Sequence, residues 1–398
     1  MTKEAVSATQ TAITAIHYGT GPLTIDADGD VSGETGISAN NNGAGALSID
    51  TSGKVTGTTQ NGISATNSGT DLTVSAGDTV RAAKTAISAT NDGTGKLTVN
   101  TAGDVTGGTG AGIAASNKST GSTDLSITTA AGTTVSGTTG ISASNAGTGI
   151  LSLGIDGDAE GTKTYGVSAT NSGETTTITS GSASTIRGAT TGVRALHAGT
   201  GSLTLHLDGD VQGLNGQGIY ARTDGTEALN LTTGGNVTGT QDGIYAYHRN
   251  GGSIDVTVGT DSVVTSSGTN RGDYAIQTTG GSTTLTVAGT LNPGAGGAVA
   301  FDSSSSNAFN DRLVLYSTAV INGTVLAGPG TDTLPSAATA TARSTLTRST
   351  RATRRGNTRA SKTSRSIAVS GAFQARRRIP LPSMAACSRG PAPSPILS

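Results

Sequence analysis

The apolar positions of this chain recur with a period of about 26 residues, from near the first residue to roughly residue 290. Each unit opens on an Ile or Val inside a G-I-x-A phrase: Ile13, Ile37, Ile63, Ile87, Ile113, Ile141, Val167, Val193, Ile219, Ile244 and Ile276. About ten residues later comes an alternating apolar pair, as in Leu23/Ile25, Leu47/Ile49, Leu72/Val74, Leu97/Val99, Leu229/Leu231 and Leu285/Val287. A single apolar residue before a Gly closes most units: Val31, Val55, Val105, Val135, Val211 and Val237. Alternation over so few positions marks half-buried strands, and the segments are too short and too rich in Gly, Thr and Ser for helices. Self-similarity at this period predicts one supersecondary unit stacked many times. The expected fold is all-β: a repetitive solenoid, a right-handed parallel β-helix of about eleven coils, roughly 50 Å long at the spacing between paired strands.

The interior of such a rod is a narrow column of Ile, Leu, Val and Ala, in which bulky rings fit poorly. The chain accordingly holds three Phe and no Trp. A second regularity lies two residues before a Gly, where His17, Asn41, Asn67, Asn91, Asn145, Asn171 and His197 stand, with Asn117 before Ser119. Asn and His tolerate the left-handed conformation. Asn at one corner of successive coils is therefore expected to bend the chain and stack into an amide ladder. A metal site joining His17 to His197 is not expected, because about seven coils, roughly 30 Å, separate them.

Charge divides the chain in two. Residues 1–334 hold 13 Lys and Arg against 26 Asp and Glu, whereas residues 335–398 hold 12 Lys and Arg and no acidic residue. A basic tail ordinarily suggests nucleic acid or an anionic membrane as partner. The single Cys387 lies in that tail, so one chain can form neither a disulfide frame nor a zinc cluster of cysteines. No stretch is long and apolar enough for a transmembrane helix, and Met1–Tyr18 enters the repeat without the apolar run of a signal peptide.

After Leu334 the sequence turns abruptly to Arg, Ala, Ser, Thr and Pro. Joining the third base of each tail codon to the first two of the next permits, from Ala337 onward, an acidic, β-patterned string containing GFEDFEV and WSFSG. Residues from about 335 onward are therefore read as out of frame and disordered, and no nucleic-acid partner is expected. On this reading residues 1–292 are the β-helix repeats, 293–334 the end of the β-region, and 335–398 the basic tail.

The phrases GISATNSGT at Gly62–Thr70, GDVTG at Gly103–Gly107 and GIYA at Gly218–Ala221, followed by NDRLVLYSTAVINGTVLAGPGTDTL at Asn310–Leu334, resemble the passenger region of bacterial autotransporters (type V secretion). The resemblance covers about residues 10–334, and the Asn310–Leu334 segment is its most diagnostic part. It implies a right-handed parallel β-helix displayed at the cell surface or outer membrane by a C-terminal β-barrel. The partners implied are a host surface protein or glycan, or further copies of the passenger. The chain departs from the family pattern in lacking a signal peptide and the barrel.

Several residues invite chemistry. The Asp-Gly-Asp triplets Asp28/Asp30, Asp156/Asp158 and Asp208/Asp210 could serve acid–base work or bind calcium, but Asp and Gly also build turns. Lys54, Thr134 and Asn236 fill the second Asp position in sibling repeats, which favours the turn. Gly95-Lys96 is followed by Leu97, so the phosphate-cradling loop is absent. Tyr165, Tyr220, Tyr245 and Tyr247 cluster in the later repeats, and Tyr220 and Tyr245 should point outward on adjacent coils, where sugars or a protein could bind. No catalytic, cofactor-binding or metal residue is assigned. The expected function is a non-enzymatic passenger stalk for adhesion or self-association, here a truncated fragment. The alternative is a β-helix polysaccharide-degrading lyase or hydrolase. A solenoid without polar caps exposes strand edges, so the chain is expected to fray or aggregate alone.

Overall fold

The computed structural model describes residues 4–302 and 308–333, with the backbone of 346–349 and 366–369. The chain forms a right-handed parallel β-solenoid of about twelve coils, with three strands per coil and no helix among the described residues. The three strands of each coil belong to three parallel sheets. One sheet begins its strands on the lead Ile (Ile37–Asn41, Ile63–Asn67), the next on the Leu of the apolar pair (Leu47–Thr51, Leu72–Ala76), and the third on the closing Val (Val31–Gly33, Val55–Gly57). They are called here the Ile, Leu and Val sheets.

Equivalent residues of successive coils pair in register, Ile63 with Ile87 and Leu72 with Leu97. Backbone donors are satisfied from coil to coil, Ile63 N–H by Ala86 O at 2.8 Å and Leu72 N–H by Lys96 O at 2.9 Å. Period-two alternation turns the Ile, the following Ala, the Leu and the Val inward, where they are almost wholly buried. Small Ala among the larger Ile and Leu suits a narrow core. Phe301 is fully buried in the Ala column, which passes from Ala246 to Thr278 before reaching it.

Most Val strands end on a Gly with no room for a side chain, although Ala82 and Ser266 take that register position in two coils. A Cβ at Gly57 would lie 2.1 Å from Asn61 O, and one at Gly161 would lie 1.9 Å from Tyr165 O. The chain folds back over that glycine to start the next Ile strand.

The coils number about twelve, in line with the expected β-helix of about eleven; residues assigned to the end of the β-region continue the columns, Val299 pairing with Ile276 and Val325 with Val299. Two sequence expectations need correction. The last apolar pair is displaced by one pleat. Thr283, not Leu285, stands opposite Ile254, and Leu285 follows Val256. The Asn corner is not left-handed, since Asp302 (φ 45°) is the only non-glycine residue with positive φ among the described residues. Each Asn instead closes an extended strand, and its amide makes the bend.

That amide ladder is present. Asn41 Nδ2 donates to Asn67 Oδ1 at 2.7 Å, Asn67 to Asn91 at 3.0 Å, and Asn117 to Asn145 and Asn145 to Asn171 at 3.1 Å. Every Oδ1 but that of Asn117 also accepts the N–H two residues on, as Gly43 N–H to Asn41 at 3.1 Å, and each Nδ2 reaches a carbonyl of its own coil, as Asn41 to Gly45 O at 2.7 Å. The ladder is interrupted below Asn117, where the loop to Leu125 is longer than its siblings and Asn117 Oδ1 is left without a hydrogen bond. His197 ends the run, its Nδ1 3.0 Å from the Thr176 hydroxyl.

Beyond the last Ile-sheet strand, Gly323–Leu326, the strands Ser366–Val369 and Leu346–Ser349 add in antiparallel order. The out-of-frame reading of the tail, and its disorder, otherwise fall on residues outside those described.

Candidate functional site

The outer face of the Ile sheet changes character along the rod. The outward pairs on successive strands are Ser38/Asn40, Ser64/Thr66, Ser88/Thr90, Ala114/Ser116, Ser142/Ser144 and Ser168/Thr170, a run of small side chains. The next three are Arg194/Leu196, Tyr220/Arg222 and Tyr245/Tyr247, followed by Gln277/Thr279. Strand register alone places these large groups side by side, about 4.8 Å apart along the axis.

Their geometry is well defined. The Tyr220 and Tyr245 rings stack with centroids 5.5 Å apart and planes 16° off parallel. The Arg194 guanidinium lies 5.4 Å from the centre of the Tyr165 ring, and Arg222 lies 5.8 Å from that of Tyr247. Arg222 donates twice to Asp224, Nε to Oδ1 and Nη2 to Oδ2, each at 2.7 Å. Arg249, 59% exposed, approaches the same carboxylate at 3.4 Å. Burial works to raise the Asp224 carboxyl, but the Arg222 and Arg249 guanidinium groups outweigh it and hold the carboxyl below its ordinary range. Burial also pushes the Tyr245 phenol up. The four tyrosines were legible in the sequence. Arg194, Arg222, Arg249 and Asp224 were not, although the replacement of Ser168 by Arg194 at one register position marks the change.

The Asp-Gly-Asp triplets do different work. The second Asp of each accepts the backbone N–H of the equivalent residue one coil on: Lys54 to Asp30 Oδ1 at 2.9 Å, Thr185 to Asp158 Oδ1 at 2.7 Å and Asn236 to Asp210 Oδ1 at 2.8 Å. Thr134 N–H to Asp104 repeats the contact at 2.9 Å. These carboxylates cap donors that the short Val strands leave unpaired. Asp208 Oδ2 lies 3.2 Å from His206 Nε2 on the surface. No group of three or more His, Cys, Asp or Glu among the described residues is arranged to hold a metal ion.

Two buried carboxyl groups escaped the sequence reading. Asp242 is 5% exposed, and its Oδ1 accepts the Tyr274 N–H at 2.9 Å. Burial pushes it up to about 7, with Asp273 adding to the rise against the opposing Tyr274 bond. Asp311 accepts the Thr283 N–H at 2.8 Å, and burial raises it to about 6, with Asp332 and Asp302 adding to the effect. Both residues repeat the capping device of Asp30 in a drier setting. The signal at Asp242 was positional, since Asn61, Thr191 and Gln217 precede the corresponding glycines.

The chain matches no protein-family model, no curated protein and no solved structure.

Proposed function

We propose that this chain is a non-enzymatic display stalk, of the kind found in the passenger regions of autotransporters, which works by holding one contact surface rigidly at a distance. The observation that carries the reading is the unbroken register of the three sheets combined with a single concentration of large side chains. Stacked parallel strands make each coil depend on its neighbours, and long, regular faces suit repeated contact by many copies. Adhesion or self-association at a cell surface is the role this geometry serves best.

Sugar hydrolysis draws no comparable support. It requires two carboxyl groups flanking the bond, one of them able to hold a proton. Asp224, the carboxylate joined to the arginines of the patch, has both oxygens engaged by arginine and its pKa lowered, and Asp242, which does hold a proton, is buried and accepts the Tyr274 N–H. The Asp-Gly-Asp carboxylates are committed to backbone N–H groups.

The test coats beads with the full chain and measures their saturable attachment to cells and to one another, alongside release of reducing ends from acidic and neutral polysaccharides. Attachment without release supports the stalk. Release of sugar without attachment overturns it.

A further inference from the structure

We propose that the outer face of the Ile sheet over Val193–His197, Ile219–Thr223 and Ile244–His248 is the docking surface for an acidic polypeptide partner. The inference rests on the display reading, and names both the face through which the rod makes contact and the chemistry that face takes.

Charge is the first argument. The region before Leu334 has twice as many acidic as basic residues, 26 against 13, yet this face carries Arg194, Arg222 and Arg249, and Arg222 and Arg249 share the one carboxylate of Asp224. Arg194 is held by the Tyr165 ring and, at 3.5 Å, by the Ser168 hydroxyl, with no carboxylate among its contacts. The patch is a local positive field on a negative rod. Such a field steers an acidic partner to one place and turns it away from the rest.

Ring geometry favours a polypeptide over a glycan. A sugar stacks on an open aromatic face, and here one of the two faces of each tyrosine is already occupied from within the patch. Tyr220 and Tyr245 cover each other, Arg194 covers Tyr165, and Arg222 covers Tyr247. Beyond those contacts the patch offers guanidinium N–H groups of Arg194 and Arg249, alongside the half-buried, apolar Leu196. Donors of that kind match carboxylates, and arginine forks do so with two parallel bonds. Tyr and Arg are the residues in which binding energy concentrates at protein interfaces. Stacking fixes these side chains before the partner arrives, which lowers the entropy lost on binding.

The test measures binding of a fluorescent Glu-rich peptide containing spaced Leu, and of an oligogalacturonate of equal charge, to the full chain by anisotropy. The variant is Arg194→Ser with Tyr220→Ser and Tyr245→Ser. Ser occupies that register position on most of the preceding coils, so the fold tolerates it, and a thermal melt verifies this. Arg81→Ser, on the Val sheet, controls for charge alone. The basic tail adds the same background to every variant, so the difference between variants is read.

The triple variant is expected to weaken peptide binding by at least about tenfold, the loss typical of one strong contact, while Arg81→Ser does not. Equal binding by wild type and triple variant overturns the proposal. Stronger, patch-dependent binding of oligogalacturonate also overturns it, in favour of a glycan. Sedimentation in which wild type pairs and the triple variant does not overturns it in favour of a second copy of the chain. Bead attachment that the triple variant leaves intact sinks this surface while the stalk stands. Patch-dependent peptide binding without bead attachment keeps the surface and removes the stalk.

Discussion

Tyr220 and Tyr245 occupy the same register position on successive coils, and their rings stack 5.5 Å apart. The contact is a consequence of the backbone, since parallel in-register pairing brings like residues to adjacent positions whatever they are. Replacing each Tyr by Ser, singly and together, should reveal a coupling of about 1 kcal/mol in a denaturation double-mutant cycle. Strictly additive losses would show that the rings do not stabilise each other.

The Asn ladder should be graded by how fully each amide is used. Asn145 receives Asn117, donates to Asn171 and Gly149 O, and accepts the Gly147 N–H. Asn145→Ala should cost about 3 kcal/mol, because it strands several buried groups at once. Asn117→Ala should cost visibly less, since the Asn117 Oδ1 has no hydrogen bond to lose. Equal midpoint shifts in urea for the two variants would contradict the ladder.

Glycines on and off the fold-back corner should respond oppositely to alanine. Gly161→Ala would drive a Cβ to 1.9 Å from Tyr165 O, so the corner must move, at a cost of about 2 kcal/mol or more. Gly154 faces outward in mid-strand, where a Cβ meets nothing closer than 3.9 Å. Gly154→Ala should be neutral or stabilising by up to about 1 kcal/mol. Thermal melts of the two variants decide it, and a Gly161→Ala protein as stable as wild type would refute the corner geometry.

Asp242 makes stability depend on pH. Its folded carboxyl sits at about 7, above the ordinary 3.8, so the folded chain holds a proton that the unfolded chain has released. The contribution is complete below the ordinary value and is lost as pH rises through about 7. Asp242→Asn keeps an acceptor for the Tyr274 N–H and removes the ionisation. Its melting temperature should exceed that of wild type at about pH 8 and by much less at about pH 4. A gap of the same size at both values would mean that folding does not raise the proton affinity of Asp242.

The architecture was legible because the same side chains fall in the same columns. Ile63, Ile87 and Ile113 announce one another in the sequence, and so do the ladder residues Asn67, Asn91 and Asn117. Where a column changes residue type the pattern was lost. Thr176 and Thr283 take the place of Leu, each holding its hydroxyl in a hydrogen bond, and Leu285 was therefore assigned one pleat early. The corner conformation was misjudged because the tolerance of Asn for left-handed backbone says nothing of what its amide does when a neighbouring coil offers partners. The site was half legible: aromatic residues are rare enough here to be noticed, whereas Arg194 and Arg222 acquire meaning only when register lays them beside Tyr220 and Tyr247. Asp242 was hidden because burial, not sequence, sets its proton affinity.

The account depends on a rod whose coils hold one register. Thr73 and Thr284 face outward on the Leu sheet, eight coil steps apart. Spin labels on Thr73→Cys and Thr284→Cys, in a chain carrying Cys387→Ser, report that span by pulsed electron resonance. A single narrow distance near roughly 38 Å, eight steps at about 4.8 Å each, is the result a rigid stalk requires. A broad distribution, or a main distance far from that value, would contradict it.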